Sequence, residues 1–221
     1  LITNFLNPKQ IAINELNYDL PFEKIANKPL TEREDSKLLV YANKQIKDEL
    51  FVNAHNYLPK NSILIFNNTK VVQARLIFKT LNGAKIEIFC LEPLDNFVNT
   101  GDAMEQKKSS EWLCLIGNLK KWKNNTLEFF SQNIKLIATK GESVNEKVIV
   151  KFNWEPHHLS FAEILNVFGI IPIPPYFKRN TELIDVERYQ TNYAKTEGSV
   201  AAPTAGLHFS ENSFLQFQKN N

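Results

Sequence analysis

The stretch "QARLIFKTLNGAKIEIFCLE", residues 73–92, decides the fold class of the central part of the chain. Two runs in which apolar and polar residues alternate, 73–80 and 84–92, flank a short segment that contains the dipeptide Asn82-Gly83. Alternation with a period of two is typical of a half-buried strand, and Asn-Gly is a strong signal for a tight hairpin turn. The stretch therefore predicts two antiparallel strands joined by a hairpin.

The same pattern continues towards the C-terminus without a helical segment between the runs. Four more short apolar runs are separated by polar turn clusters: "EWLCLIG" (111–117), "TLEFF" (126–130), "NIKLIAT" (133–139) and "KVIVKF" (147–152). Six short strands in succession, separated by turn signals, indicate a small antiparallel barrel or sandwich. We expect this all-β block to cover residues 72–155.

The segments before and after the β block show a different hydrophobic pattern, which includes helical spacing. "SFAEILNVFG" (160–169) has Ser160 and Glu163 at capping-box spacing, apolar residues at helical spacing and Gly169 at its end, so it predicts a helix. Residues 48–58 also predict a helix, and 62–69 predict an apolar strand that runs into a polar turn. The fold class we expect is an α/β (α+β) domain, formed by 1–71 and 156–221, that is interrupted by the inserted β-barrel.

The composition favours an ordered protein with a sizeable core. The chain has 221 residues, 43% of them hydrophobic, and a formal net charge of +2. This charge neither requires nor excludes a nucleic-acid partner. Cys90 and Cys114 lie in apolar runs without metal-ligand spacing, so we expect buried free thiols in preference to a disulfide. The sequence shows no leader and no membrane-length apolar run, and we expect a cytoplasmic protein without a membrane partner.

Small residues are concentrated in "GSVAAPTAGLHF", residues 198–209. Such a run is either a plain connector or a loop whose backbone approaches something closely. His208 follows it, and a titratable ring beside a close-approach loop is a candidate for a site. His55, on the predicted helix, and the pair His157-His158, at a predicted junction, are more consistent with surface or loop positions.

Three polar segments are further candidates. "FNNTK" (66–70) follows an apolar run, where α/β folds often bind ligands, and an ordinary turn is the equal alternative. "PPYFKRN" (174–180) carries an aromatic residue and two cations on a stiff backbone, which suits phosphate contact or a plain surface loop. "NLKKWKNN" (118–125) suits either an RNA backbone or a solvated hairpin tip. No phosphate-binding glycine motif, nucleophile elbow or zinc-protease motif is present.

At these segments the chain resembles a known family, the S-adenosylmethionine:tRNA ribosyltransferase-isomerases of queuosine biosynthesis. The matching stretches occur in the family's order and extend over nearly the whole chain: "YDLPFEKIANKPLTEREDSKLLV" (18–40), "LIFNNTKVVQARL" (64–76), "GAKIEIF" (83–89), "IPIPPYFKRNTELIDVERYQTNYA" (171–194) and "GSVAAPTAGLHF" (198–209). Lys70 stands where the family usually has arginine.

The resemblance implies a reaction and its partners. The ribosyl part of S-adenosylmethionine is moved onto 7-aminomethyl-7-deazaguanine at the wobble position of tRNA and rearranged to an epoxycyclopentane, while adenine and methionine leave. S-adenosylmethionine is then a substrate, and neither a metal nor another cofactor is implied. His208 and Thr204 are the implied catalytic residues. The implied substrate-binding residues are Asn67, Thr69, Lys70, Arg75, Tyr176, Arg179, Gln190, Tyr193, Ala205 and Gly206.

The resemblance also implies that a C-terminal part of the family's α/β domain is absent from this sequence. We therefore expect either a monomer or an assembly in which a separate polypeptide supplies that part. The alternative function is that of an inactive or partial fragment that keeps only RNA-binding or structural character.

Overall fold

A computed structural model of the protein describes residues 11–94 and 100–220. Most of its strands belong to one antiparallel sheet, and short sheets and helices lie around it. The strands are β1 (Lys37–Ala42), β2 (Gln45–Leu50), β3 (Thr69–Val71), β4 (Arg75–Lys79), β5 (Lys85–Pro93), β6 (Ser109–Gly117), β7 (Thr126–Ser131), β8 (Ile134–Val144), β9 (Lys147–Glu155), β10 (Gly169–Ile170) and β11 (Thr196–Ser199). The helices are α1 (Thr100–Met104), α2 (Phe161–Phe168), α3 (Leu183–Arg188) and α4 (Glu211–Asn220).

The hairpin predicted from residues 73–92 is confirmed. β4 and β5 pair antiparallel, with Phe78 opposite Ile86, and Gly83 adopts a φ of +77° in the turn between them. This positive φ is available to glycine at little steric cost. The four strands predicted after the hairpin are β6 to β9, and the sheet order is β10-β4-β5-β6-β9-β8-β7.

The sheet curls, because its alternating apolar side chains share one concave face. Leu76 on β4, Ile88 on β5, Trp112 on β6 and Phe152 on β9 are all fully buried. The curl brings β4 and β7 towards each other, so that the ring centroids of Phe78 and Phe129 are 5.9 Å apart. The protein is therefore a mixed α/β structure built around a curled antiparallel sheet.

Helix α2 closes the concave face of this sheet. Its predicted capping box is confirmed, since the Glu163 N–H donates to Ser160 Oγ and the Glu163 carboxylate accepts from the Ser160 N–H. The Phe161 ring lies 5.4 Å from the ring centroids of Trp112 and Phe152 and 5.6 Å from that of Trp154. The helix at the start of the predicted second α/β segment thus packs into the β core, and the division into domains stays a prediction.

Two local predictions are wrong. Residues 62–68 form no strand, because no other described strand lies beside them, and only Thr69–Val71 pairs. The helix predicted over 48–58 is replaced by the end of β2 and a 3-10 turn, Phe51–Tyr57. Aromatic contacts fix that turn, since Phe51 packs edge-on against Phe209 with centroids 4.9 Å apart.

The cysteine prediction is confirmed. Cys90 and Cys114 are buried free thiols on adjacent strands. Burial and the neighbouring Cys90 raise the pKa of the Cys114 thiol well above its usual value. A thiol that stays protonated is a poor nucleophile, so Cys114 acts as a small apolar group in the core.

Replacing Phe161 with alanine should lower the free energy of unfolding by about 3–5 kcal/mol, because the change empties the space between three aromatic rings. Urea denaturation measures this loss. Phe130→Ala is the matched control, since its ring is 64% exposed, and it should cost less than about 1 kcal/mol. Equal losses in the two variants would contradict the role of α2 as the closing element of the core.

Candidate active site

The two motifs with the strongest site signals lie side by side on one small parallel sheet. β3 and β11 pair with Thr69 opposite Thr196 and Val71 opposite Ser199. Backbone hydrogen bonds continue on both sides of the pairing, from the Lys195 N–H to the Asn68 carbonyl (2.8 Å) and from the Val72 N–H to the Ser199 carbonyl (2.9 Å). Segment 66–70 therefore borders the start of loop 198–209.

Gln190 holds this small sheet from the side. Its Oε1 accepts from the Val71 N–H at 2.9 Å, and its Nε2 donates to the Val71 carbonyl at 3.3 Å. These paired bonds satisfy the backbone edge of β3, much as a further strand would. The structure thus gives Gln190 a backbone-holding role, and its substrate contact stays a prediction.

A cavity of about 360 Å³ opens beside β3. Lys70 and Gln190, both predicted site residues, line it. The sequence did not single out the other lining residues: Arg33, Val71, Gln73, Asn166, Ile171, Val186, Glu187, Thr191 and Asn192. A concave site with several converging polar groups is the usual form of a small-molecule pocket.

His208 ends a 3-10 turn, Thr204–His208, and is partly buried. Its ring centroid lies 5.5 Å from that of Phe51. The pKa of His208 is lower than its ordinary value, mainly because the ring is partly buried. The positive charge of Arg33 also lowers the pKa, and a hydrogen bond with the Arg33 backbone opposes this change. The imidazole is therefore neutral near pH 7 and is suited to accept a proton.

Arg33 is the most informative residue that sequence reasoning missed. Its guanidinium donates to the carbonyls of Leu207 and Glu187, each at 3.0 Å, and it also lines the 360 Å³ cavity. It thereby connects the turn that carries His208 to the cavity wall. In sequence it lies in the charged run "TERED", which is typical of a solvated surface; the only signal for it is that it belongs to the resembling stretch 18–40.

The small residues of loop 198–209 differ in what they face. Gly206 is buried, and a Cβ built on it would lie 2.1 Å from the Tyr193 hydroxyl and 3.1 Å from Thr191 Cγ2. The close approach at this glycine is therefore to the protein's own tyrosine. Thr204 and Ala205, by contrast, are exposed on the same turn, where a ligand can reach them.

Tyr193 is fixed by aromatic neighbours as well as by Gly206. Its ring centroid is 5.2 Å from that of Phe66 and 5.6 Å from that of Phe214. Burial raises its pKa, so its hydroxyl stays protonated. Packing explains this tyrosine, and its substrate contact stays a prediction.

Asn67 and Thr69 form a local turn at the start of β3. Asn67 Oδ1 accepts from both the N–H and the hydroxyl of Thr69, at 2.9 and 2.7 Å. Asparagine commonly satisfies a turn backbone in this way. The turn from Asn67 to Thr69 therefore has a defined shape, and it directly precedes the cavity-lining residue Lys70.

Three of the implied substrate-binding residues, Arg75, Tyr176 and Arg179, occupy different environments. Arg179 makes a two-point ion pair with Asp185, both distances 2.7 Å, and its Nε donates to the Asn27 carbonyl. Arg75 Nε lies 2.9 Å from a Glu87 carboxylate oxygen, although its N–H does not point at an acceptor. Tyr176 is 54% exposed. Within residues 11–94 and 100–220, the two arginines have an acidic partner and Tyr176 has no charged one.

Two of the other three histidines have a local backbone contact. His55 Nδ1 lies 3.0 Å from the Val52 carbonyl, and His157 Nδ1 lies 2.7 Å from the Trp154 carbonyl. Within residues 11–94 and 100–220, no three His, Cys, Asp or Glu side chains come together in a way that could hold a metal ion. No helix in the same ranges has the length and apolar character needed to cross a membrane.

Comparison with known proteins identifies the family. Residues 13–221 match the family model described as "Queuosine biosynthesis protein". The chain belongs to this family. The resemblance seen in the sequence is confirmed, and the matched region includes both β3 and loop 198–209.

Curated relatives carry the name S-adenosylmethionine:tRNA ribosyltransferase-isomerase. The protein of Pelotomaculum thermopropionicum is 37% identical over 201 residues, which are 90% of this chain and 54% of the relative. The Aquifex aeolicus protein is 36% identical over 91% of this chain and 55% of the relative. The protein of Campylobacter jejuni strain RM1221 is 35% identical over 96% of this chain and 59% of the relative. The chain thus spans just over half the length of these relatives. No solved structure matches it.

The Gly206 contact gives a test of this queuosine-family loop. Gly206→Ala should lower the free energy of unfolding by about 1–3 kcal/mol, because the new Cβ overlaps the Tyr193 hydroxyl. Tyr193→Phe removes that hydroxyl, so the double variant should lose less stability than the sum of the two single variants. Additive losses in urea denaturation would contradict the contact.

The pKa of His208 predicts a pH dependence of stability. Because the folded-state pKa lies below 6.5, protonation favours the unfolded chain, and stability should fall as the pH drops below about 6.5. Glu34 and Asp185 also have lowered pKa values, but their contributions are lost only at more acidic pH. Urea midpoints at about pH 7 and pH 5.5 should differ less in His208→Gln than in wild type. His55→Gln is the control and should keep the wild-type difference; a full difference in His208→Gln would contradict the assignment.

Proposed function

We propose that this chain forms part of an enzyme that transfers the ribosyl part of S-adenosylmethionine to a 7-deazaguanine at the wobble position of tRNA and isomerises it, releasing adenine and methionine. The observation that carries the proposal is the pairing of β3 with β11, which brings segment 66–70 to loop 198–209 beside a polar cavity. The relatives' names and the family match support it.

His208 is proposed as the base of this reaction. The sulfonium of S-adenosylmethionine acidifies the adjacent C–H bonds, so the first requirement is a group that accepts a proton there. A neutral imidazole meets this requirement, and the lowered pKa of His208 keeps it neutral near pH 7. Exposed Thr204 and the backbone of Ala205 and Gly206 are proposed to hold the ribose or the adenine edge.

Contacts with tRNA are proposed for Lys70, which lines the cavity, and for Tyr176, Arg75 and Arg179, which do not line it. The target base must leave the anticodon stack before its aminomethyl group can react. Tyr176 offers an exposed aromatic face for such a base. Lys70 supplies a cation at the cavity wall, and Arg75 and Arg179 are proposed phosphate contacts that would have to share their present acidic partners.

The rest of the catalytic domain is proposed to cover segment 62–68. Ile63 and Ile65 are 88% and 94% exposed, although the sequence of this segment predicts an apolar strand. An extended apolar stretch without a partner strand is a surface that proteins normally cover. The matched part of this chain covers only 54–55% of these relatives, and the polypeptide of their second half is the proposed occupant.

The complete domain architecture follows from this proposal. The curled sheet is the inserted barrel-like domain, and the segments before and after it belong to an α/β domain that the second-half polypeptide completes. We propose that the completed enzyme works in the cytoplasm as a monomer or as a pair of complementary polypeptides.

Mass spectrometry of a tRNA anticodon loop tests the function. The chain is incubated with S-adenosylmethionine and the substrate tRNA, with and without a polypeptide that corresponds to the second half of a relative. Ribosyl-derived mass on the deazaguanine, together with free adenine, supports the proposal. A folded complex of the two polypeptides that binds both substrates and yields neither product would contradict it and favour an RNA-binding fragment.

In the active complex, His208→Ala should reduce the transfer rate at saturating substrates by about 10²–10⁴, the usual contribution of a general base. His55→Ala is the matched control, because His55 also packs against an aromatic ring near the turn that carries His208. The ring centroids of His55 and Phe217 are 6.2 Å apart. This control should stay within a few-fold of wild type. A His208→Ala rate within a few-fold of wild type would remove His208 from the mechanism.

A further inference from the structure

A second cavity, of about 590 Å³, lies at the turn end of the β4–β5 hairpin. One wall is the hairpin turn, and the other is the segment between β6 and β7. We call it the lysine cavity and define it by its lining residues: Lys79, Thr80, Leu81, Asn82, Ala84, Lys121, Trp122, Lys123, Asn124, Thr126, Leu127 and Glu128.

The lysine cavity has an excess of positive charge. Lys79, Lys121 and Lys123 line it, and in the described part of the chain none of them forms an ion pair. Its one carboxylate, on Glu128, lies 3.1 Å from Lys135 Nζ and is thereby neutralised from outside the cavity. Three unneutralised cations around one concavity attract a polyanion.

The walls of the cavity are held in place. Asn118 Nδ2 donates to the Lys85 carbonyl at 3.1 Å and so ties the 118–125 segment to the hairpin. Trp122 is only 2% exposed, and Lys140 Nζ donates to its carbonyl at 2.8 Å. The Trp122 indole N–H has no hydrogen-bond partner among the described residues, which is uncommon for a buried donor. The backbone that carries Lys121 and Lys123 is thus held in place by these contacts.

The lysine cavity and the candidate active site lie towards opposite ends of the same strand. Gln73, just before β4, lines the cavity beside β3, and Lys79, at the end of β4, lines the lysine cavity. The five-residue strand β4 lies between these positions and alone spans about 15 Å. A single small molecule cannot occupy both sites, whereas an RNA strand of a few nucleotides can.

We propose that the lysine cavity binds the phosphodiester backbone of the RNA whose modified base enters the candidate active site. The proposal rests on the proposed function, and it adds the β-sheet as the second RNA-contact surface. Lysine side chains are flexible point charges, which suit phosphates along a backbone better than the two-point recognition of one small anion. The contact is therefore expected to be independent of base sequence.

Fluorescence anisotropy with a labelled tRNA anticodon stem-loop tests this contact without any catalytic step. The variant is Lys121→Ala/Lys123→Ala, and the matched control is Lys24→Ala/Lys60→Ala, which removes two exposed lysines elsewhere. The lysine-cavity variant should bind the stem-loop several-fold more weakly, and the slope of log Kd against log salt should fall by about 1–2, since each lost phosphate contact removes about 0.7–0.9. The control should keep the wild-type slope.

Two further measurements separate the possible failures. Inorganic phosphate should not displace the stem-loop at concentrations that match its nucleotide phosphates; displacement would indicate a small-anion site and overturn the proposal. Unchanged RNA affinity and salt slope in the lysine-cavity variant, or no RNA binding by wild type, would also overturn it. The proposed function fails separately, when the complex with the second-half polypeptide binds RNA through these lysines but transfers no ribosyl group.

Discussion

Two arginines, Arg33 and Arg188, hold together the segments around the candidate site, because each donates to backbone carbonyls of the segment next to the other. Arg33 donates to the carbonyls of Glu187 and Leu207, while Arg188 donates to those of Thr31 and Leu30, both at 2.7 Å. Segments that lie more than 150 residues apart in the chain are thus joined by charged donors on backbone acceptors. Such bonds are stronger than those between neutral groups. They join segment 30–33 to residues 187–207, which no strand pairing connects within the described part of the chain.

Glu34 extends the same constraint to the last helix. Its carboxylate accepts from Ser210 and Ser213 at the start of α4 and from Asn212, and the Ser210 bond contributes most to lowering its pKa. The turn that carries His208 is consequently held at Leu207 by Arg33, and the chain just after it is held at Ser210 by Glu34. The position of the imidazole therefore depends on Arg33 and Glu34, in a charged segment that the sequence did not single out as part of a site.

The sequence predicts the sheet better than the site, for a physical reason. Strand alternation and the Ser160–Glu163 capping box are local signals, and the structure reproduces them because the local preference and the buried core agree. Arg33 has no local signal, because its role arises from partners more than 150 residues away in the chain. The small-residue run around Gly206 does signal a close approach, but it does not reveal that the partner is Tyr193. Segment 62–68 fails for the opposite reason, since its local preference for a strand meets no partner strand among the described residues.

The two halves of the structure therefore differ in how they are stabilised. The curled sheet and α2 share one extended apolar core, whereas the region of the candidate site has a small buried cluster of Val71, Ile171 and Ile173. Where little apolar surface is buried, polar clamps determine the geometry, and local opening costs less free energy. Covering Ile63 and Ile65 with the second-half polypeptide would add the missing apolar burial next to segment 66–70. If that polypeptide covers them as we propose, its binding would be coupled to order in the candidate site, whereas the curled sheet is already stabilised by its own extended apolar core.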